Sequence, residues 1–158
     1  MSVRAGWSKD KEDWKRLSKC VKNNNIKWRK EKYFKGSFIR IPDKAGIYML
    51  CSSPPKQTLD WKKLFTPLYI GRSKHLRTRL NEHISKPQAS ILDVYDITTT
   101  LEVLYTTCNE NNLAEVEDCL IRAFGPITNV INAKNQVEIL EPIQANLGKK
   151  EKIKILGD

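Results

Sequence analysis

Two tyrosines stand in short apolar segments, and a strongly basic segment follows the second one. The segments read AGIYML at residues 45–50 and PLYIG at residues 67–71, and downstream come an arginine, a histidine and a glutamate. A carboxylate can hold a divalent cation that polarises a phosphate, and a guanidinium binds phosphate oxygens through its planar fork. A tyrosine hydroxyl near such positive charges has a lowered pKa and can take a proton from water. These residue types therefore suit the hydrolysis of a phosphodiester.

Each of these residues also has an ordinary structural explanation. A tyrosine in a strand usually packs against its neighbours, and Arg79 could pair with Glu82 or Asp118 on the protein surface. The helix dipole favours a histidine such as His83 near the end of a helix, and Glu117 is unremarkable in an amphipathic helix. Only the combination of residues and spacings indicates a functional site.

The elements that carry these residues are predicted from hydrophobic periodicity and from glycine and proline positions. Strands are predicted at 45–51, 68–71 and 96–107, and amphipathic helices at 73–84 and 111–125. The order β-β-α-β-α predicts an α+β domain, with a small mixed or antiparallel three-stranded sheet flanked by helices.

The two ends of the chain are less regular. A helix is predicted over residues 9–22 with Ser8 as its N-cap, whereas 26–40 fits either a short helix or an extended chain. Asn112 is a candidate cap for the last helix, which Gly125 and the following proline should end. A further short strand is predicted at 137–140.

Positive charge is concentrated in the N-terminal third. The chain has a net charge of +10; residues 1–45 hold 14 Lys and Arg against 5 Asp and Glu, or +9, and the remainder carries only +1. This asymmetry favours a polyanionic partner, most simply nucleic acid, although a solvated basic helix would give the same count. The candidate nucleic-acid contacts are Arg72, Lys74, Arg77, Lys27, Arg29, Lys30 and Lys32.

Other classes of protein are disfavoured by the composition. No apolar run approaches the roughly 18 residues of a membrane-spanning helix, and residues 1–14 lack the apolar stretch of a secretory signal. We therefore expect a cytoplasmic protein with no membrane partner and no small-molecule ligand. The spacing of the cysteines matches no zinc pattern, so free buried thiols are predicted at Cys20, Cys51, Cys108 and Cys119.

The order of the motifs resembles that of the GIY-YIG nuclease family. In sequence come GIY at 46–48, YIG at 69–71, Arg79, His83, Glu117 and Asn129. The family is similar in having two such tripeptides on adjacent strands, an arginine eight residues after the second glycine, a glutamate in a later helix and a downstream asparagine. The resemblance covers about residues 45–132.

The resemblance implies a catalytic role for each of these side chains. Glu117 would bind a single Mg2+ or Mn2+, and Arg79 would stabilise the pentavalent transition state. Tyr48 would be the general base or would position the water, while Tyr69 would orient the nucleophile and the phosphate. His83 would assist or relay the proton. Which tyrosine is the base stays open.

The resemblance also implies structural roles and a domain plan. Asn129 would hold the geometry of the site by hydrogen bonds, and Gly46 and Gly71 would be structural, with Gly71 keeping the cleft or the turn into the helix unobstructed. The segment 49–68 between the tripeptides is about twice the usual length. The expected divisions are a basic arm or helix at 1–44, a nuclease domain at 45–135 and a C-terminal extension at 136–158.

The predicted function is a metal-dependent DNA endonuclease related to restriction, repair or mobile elements. A compact restriction enzyme would form a homodimer to cut both strands, whereas a repair nuclease could nick as a monomer. Two alternatives remain: a catalytically inactive nucleic-acid-binding module, and a nuclease that needs a partner, recognises a DNA structure or acts on RNA.

Overall fold

A four-stranded antiparallel sheet with helices on both faces forms the core of the computed structural model. The structure describes residues 6–34, 36–53, 66–86, 100–126 and 128–129. Within these ranges the elements are α1 (Lys11–Asn23), β1 (Arg29–Lys32), β2 (Gly46–Ser53), β3 (Thr66–Ser73), α2 (Leu76–Ser85), β4 (Thr100–Thr107) and α3 (Leu113–Phe124), with 3-10 turns at Ser37–Arg40 and Glu110–Asn112. The strand order is β1-β4-β2-β3. The predicted α+β class is confirmed.

The sheet contains the three predicted strands and a fourth, β1. This strand reads RKEK and comes from the stretch at 26–40 that the sequence left open. It pairs antiparallel with β4, from Arg29 opposite Tyr105 to Lys32 opposite Glu102. Four charged residues have no apolar alternation, so β1 depends on the edge of β4 rather than on its own propensity. The strand predicted at 137–140 lies outside the described residues.

The two faces of the sheet have separate cores because successive strand residues point to opposite sides. We call them the α1/α3 face and the α2 face, after the helices that cover them. On the α1/α3 face the buried strand residues are Ile47, Met49, Cys51 and Ile70. On the α2 face they are Tyr48, Leu50, Leu68, Leu101, Val103 and Tyr105.

Helix α1 belongs to the core of the α1/α3 face. Its Leu17 and Cys20 are buried in the same cluster as Val116 and Cys119 of α3. All four cysteines are free, as predicted, and Cys108 is the one that is partly exposed. The division of the chain into segments 1–44, 45–135 and 136–158 stays a prediction.

The structure corrects one of the two predicted N-caps and confirms the position of the other. Asp10, rather than Ser8, caps α1, because the Asp10 side chain accepts a hydrogen bond from the backbone N–H of Glu12. Asn112 holds the N-cap position of α3, as predicted, but its side chain makes no capping hydrogen bond and its amide donates to Asn24 instead. The stop at Gly125 is confirmed, since this glycine has φ 53 in the left-handed region.

Helix α2 is tied to the segment that leads into β2. The Asp43 carboxylate accepts 2.9 Å hydrogen bonds from both the backbone N–H and the hydroxyl of Thr78. The Arg77 Nε donates to the carbonyl of Ile41 at 2.8 Å. These contacts fix the first turn of α2 and thereby the positions of the residues that follow it. In the part of the chain that the structure describes, no helix is both long and apolar enough to span a membrane.

Candidate active site

The Tyr48 side chain lies across the edge strand β3 at Gly71. Tyr48 has no exposed surface and stands opposite Gly71 in the pairing of β2 with β3. A Cβ atom at Gly71 would overlap the ring and the hydroxyl of Tyr48. Only glycine therefore leaves room for this ring, which gives the last residue of YIG a steric reason.

Tyr69 lies beside Tyr48 on the α2 face, directly after a β-bulge. The pairing of β2 with β3 shifts between Leu50, which pairs with Tyr69, and Cys51, which pairs with Pro67. The extra residue, Leu68, packs on the α2 face and so does Tyr69. The bulge redirects Leu68, which regular alternation would send to the other face, whereas Tyr69 keeps the regular register opposite Leu50. The two tyrosine rings come to 6.0 Å between their centroids.

His83 completes an aromatic trio on the α2 face. Its ring centroid lies 5.7 Å from that of Tyr48 and 5.1 Å from that of Tyr69. The side chain is only 3% exposed, and neither ring nitrogen has a hydrogen-bond partner among the described residues. Burial, with a smaller effect of the positive Arg79, lowers the pKa of His83 to about 4. The imidazole is therefore neutral at pH 7.

Arg79 supplies positive charge to the tyrosine pair. Burial raises the pKa of Tyr48 far above its usual value, and the neighbouring Tyr69 adds to this effect. The charge of Arg79 and its hydrogen bond to the Tyr48 hydroxyl oppose that rise. Arg79 also forms a 3.3 Å ion pair with Glu82. One face of α2 thus directs a guanidinium towards a buried phenol.

Glu117 lies beyond β3, on the α1/α3 face. Its carboxylate is 3.9 Å from Nε of Arg72, which pairs with Ile47 in the sheet and so shares the face of that residue. Burial raises the pKa of Glu117, while Arg72 lowers it and Asp118 raises it further. A half-buried carboxylate with one distant ion pair among the described residues keeps oxygen lone pairs available.

Those lone pairs fit a hard divalent cation. Mg2+ is often bound through one or two carboxylates and otherwise by water and phosphate oxygens. In the described ranges no three His, Cys, Asp or Glu residues are grouped as a metal site. Glu117 stays the candidate protein ligand that the sequence predicts. The neighbouring Glu115 is exposed on another side of α3.

Asn129 occupies the open edge of β3. Its side-chain oxygen accepts from the N–H of Ile70 at 2.8 Å, and its side-chain NH2 donates to the carbonyl of Ile70 at 2.8 Å. This amide thus pairs with an edge strand as another strand would, between Tyr69 and Gly71. The fixed backbone in turn holds the positions of the two flanking residues.

Several predicted nucleic-acid contacts have partners within the protein. Arg77 donates to the backbone of Ile41, Lys74 pairs with Glu110 at 3.0 Å, and Lys30 pairs with Glu102 at 3.4 Å. Sequence reasoning missed Asp43, whose contact with Thr78 joins residues 35 positions apart and leaves no local signal.

The structure brings four of the predicted residues together and places two others around the same strand. Tyr48, Tyr69, Arg79 and His83 meet on the α2 face. Glu117 is on the opposite side of β3, and Asn129 is on its outer edge. The arrangement surrounds Gly71 with acidic, basic and hydroxyl groups.

Comparison with known proteins gives a distant likeness. No family model matches the chain, and no curated protein matches it significantly. Among solved structures, two tyrosine-to-phenylalanine mutants of the GIY-YIG N-terminal endonuclease domain of UvrC from Thermotoga maritima, each bound to the catalytic divalent cation, are similar. They are 21% and 22% identical, with TM-scores of 0.39 and 0.40, and each alignment covers 56% of this chain and 86% of the other. The function must be inferred from the chain's own residues.

Replacement of His83 by phenylalanine should flatten the dependence of stability on pH. The pKa of His83 falls from 6.5 to about 4 on folding, so the unfolded chain takes up a proton that the folded chain excludes. Stability from this group is complete above pH 6.5 and is lost as the pH falls towards 4. Urea unfolding should show the wild type losing about 2 kcal/mol more than His83→Phe between about pH 7.5 and about pH 5.

The other histidine of the chain provides a matched control. His75 is exposed, so His75→Gln should keep the pH dependence of the wild type. Equal pH dependence in all three proteins would show that His83 is not the group that resists protonation.

Replacement of Asn129 by alanine should expose the N–H of Ile70 to solvent exchange. No strand covers that edge of β3 in the described sheet, so the amide would lose its acceptor. We expect exchange of the Ile70 amide to accelerate about fivefold or more, because one such hydrogen bond contributes roughly 1 kcal/mol. Asn129→Asp keeps the acceptor and should preserve more of the protection. Unchanged exchange in Asn129→Ala would mean that this contact does not form in solution.

Proposed function

We propose that this protein is a metal-dependent DNA endonuclease that hydrolyses phosphodiester bonds. The observation that supports the proposal most is the placement of the Tyr48 ring across Gly71, between a tyrosine and arginine cluster on one side of β3 and the carboxylate of Glu117 on the other. A phosphate at this strand edge would meet cationic, hydroxyl and acidic groups together.

Glu117 is the residue that would hold the divalent cation. Its carboxylate is half-buried and has one long ion pair within the described residues. A cation held there would withdraw electron density from the phosphate and stabilise the charge on the leaving oxygen. Arg72 would limit the excess negative charge of the carboxylate before the cation binds.

Arg79 would bind the non-bridging oxygens of the phosphate. Its planar fork suits two oxygens at once and would stabilise the charge that develops in the transition state. Arg79 already interacts with Tyr48, so the bound phosphate would lie close to that hydroxyl.

Tyr48 would position the attacking water and accept its proton. Burial alone keeps this hydroxyl protonated, and the positive charge of Arg79 acts in the opposite direction. Positive charge at the site is thus a condition for Tyr48 to act as a base. Tyr69 would orient the same water and the phosphate from the neighbouring position.

His83 and Asn129 would support these residues. His83 is neutral at pH 7, and its ring nitrogens have no partner among the described residues, so it can accept or donate a hydrogen bond next to the tyrosines. Asn129 would hold the backbone between Tyr69 and Gly71.

DNA is the proposed substrate because of the basic N-terminal third. A net charge of +9 over residues 1–45 would supply phosphate affinity that weakens steeply with salt. The cytoplasmic location and a homodimer that cuts both strands stay predictions.

Replacement of Glu117 by glutamine should abolish cleavage of supercoiled plasmid DNA. The wild type should convert the plasmid to nicked or linear DNA with Mg2+ or Mn2+ and should lose this activity with EDTA. Glu117→Gln keeps the shape of the side chain but removes the charge that holds the cation, so we expect at least about a hundredfold loss.

The matched control is Glu115→Gln, which makes the same change on an exposed part of the same helix. It should retain wild-type activity. Equal losses in both variants would point to a general effect of charge on α3. DNA bound but left uncut by the wild type would contradict the proposal and favour an inactive binding module.

Replacement of Tyr48 by phenylalanine should lower kcat by about 10²- to 10⁴-fold, the range of general-base catalysis. The ring would still fill the space over Gly71, so stability and DNA affinity should change little. Single-turnover cleavage measures the effect, with Tyr69→Phe as the paired variant. Near-normal cleavage by Tyr48→Phe together with a large loss in Tyr69→Phe would assign the base to Tyr69.

A further inference from the structure

A polar cavity opens beside β1, the edge strand on the opposite side of the sheet from β3. Its volume is about 450 Å³, and its lining includes Asn25, Lys27, Arg29, Lys44, Tyr105 and Thr107. It lies where the end of β4 meets the start of β1 and the segment before β2. None of the candidate catalytic residues lines it.

The cationic side chains that line the cavity are not neutralised by ion pairs with described residues. Lys27, Arg29 and Lys44 line it together, and no carboxylate of a described residue does. None of the three cations forms an ion pair with a residue in the described ranges, whereas Lys30 and Lys74 do. Like charges around one concave surface raise the local potential and attract an anion.

The strand register places this cavity in line with the candidate active site. Arg29 pairs with Tyr105, Tyr105 pairs with Tyr48, and Tyr48 pairs with Gly71. Residues directly opposite each other share a face, so these four form one row across the sheet on the α2 face.

The length of the row can be compared with a DNA strand. Neighbouring strands lie about 4.8 Å apart, so the backbone at Arg29 is about 10 Å from the backbone at Tyr48. One strand of duplex DNA advances about 3.4 Å along the axis per phosphate. Because the strand also winds around that axis, neighbouring phosphates are further apart than this advance, so the separation corresponds to no more than about two nucleotides.

Strand alternation separates these cations from the other basic residues of β1. Lys30 and Lys32 point to the opposite face, where Glu102 pairs with Lys30 at 3.4 Å and stands opposite Lys32 in the register. A basic run that looks continuous in the sequence is thus divided between two faces.

We propose that the cavity lined by Lys27, Arg29 and Lys44 binds a backbone phosphate of the DNA, within about two nucleotides of the phosphate that is cut. Arg29 contributes a planar fork and the two lysines contribute point charges. Such a contact carries no sequence information but fixes the position of the DNA relative to Tyr48. The distance to the cut rests on the proposed nuclease function, whereas phosphate binding itself does not.

The test compares two double variants that remove equal charge from opposite faces. Arg29→Gln/Lys44→Gln alters the cavity, and Lys15→Gln/Lys22→Gln, on the helix α1 that covers the other face, is the matched control. Affinity for a short fluorescent DNA duplex is measured by anisotropy in EDTA over a range of KCl concentrations. The cavity variant should bind about tenfold more weakly, and its plot of log K against log[salt] should be less steep by about one, as expected for one lost phosphate contact.

The control should keep the slope of the wild type. Equal weakening by both pairs would reduce the effect to net charge and would overturn the proposal, as would unchanged binding by both. Inorganic phosphate is tested as a thermal stabiliser in the same proteins. Stabilisation that depends on the cavity residues, without any effect on DNA binding, would make the cavity a site for a free anion and would also overturn it.

Plasmid cleavage separates this proposal from the nuclease function. DNA binding that depends on the cavity, in a wild type that does not cut, would end the nuclease proposal and the distance to the cut, but would support the phosphate site. Cutting by the wild type together with unchanged DNA binding by the cavity variant would support the nuclease proposal and overturn the phosphate site.

Discussion

The contact between the Tyr48 ring and the bare backbone of Gly71 is the constraint on which the candidate site depends. A slip of one residue between β2 and β3 would turn Tyr48 to the α1/α3 face and place a side chain where the ring now lies. Strand β2 is also tightly packed at Gly46, where a Cβ atom would overlap the carbonyl of Thr106 in β4 and the side chain of Leu76 in α2. Two glycines thus fix β2 between β4 and β3.

Burial acts on the charged groups of the site in one direction. It raises the pKa of Tyr48 and of Glu117 and lowers that of His83, so each group is moved towards its neutral form. Arg79 and Arg72 oppose this effect for the tyrosine and for the glutamate. A site held near neutrality in this way responds strongly to an added charge, because partial burial weakens screening by water. A divalent cation or a phosphate is the kind of charge that would change it.

The sequence was sufficient for the elements whose signals are local. Short apolar runs and β-propensity identified β2, β3 and β4, and helical periodicity identified α2 and α3. It failed for β1, whose four charged residues pair with β4 only because an edge is available. The bulge at Leu68 and the double hydrogen bond of Asn129 to Ile70 depend on segments far apart in the chain, 59 positions in the second case. Such contacts leave no pattern that a single sequence reveals.

Charge illustrates the same limit most clearly. The +9 of residues 1–45 suggested one basic surface, but ion pairs and strand alternation divide it. Arg16 pairs with Asp118 of α3, Lys30 pairs with Glu102, and Arg29 faces the opposite side of β1. Arg29, which has no ion pair with a described residue, lies in the row that ends at Gly71. Because Tyr105 and Tyr48 are buried, a DNA strand held at Arg29 would pass over the surface towards the outer edge of β3, where Glu117 approaches from the other face. The edge strand β3 would therefore lie between the two groups of site residues, with the tyrosines and Arg79 on one face and Glu117 on the other.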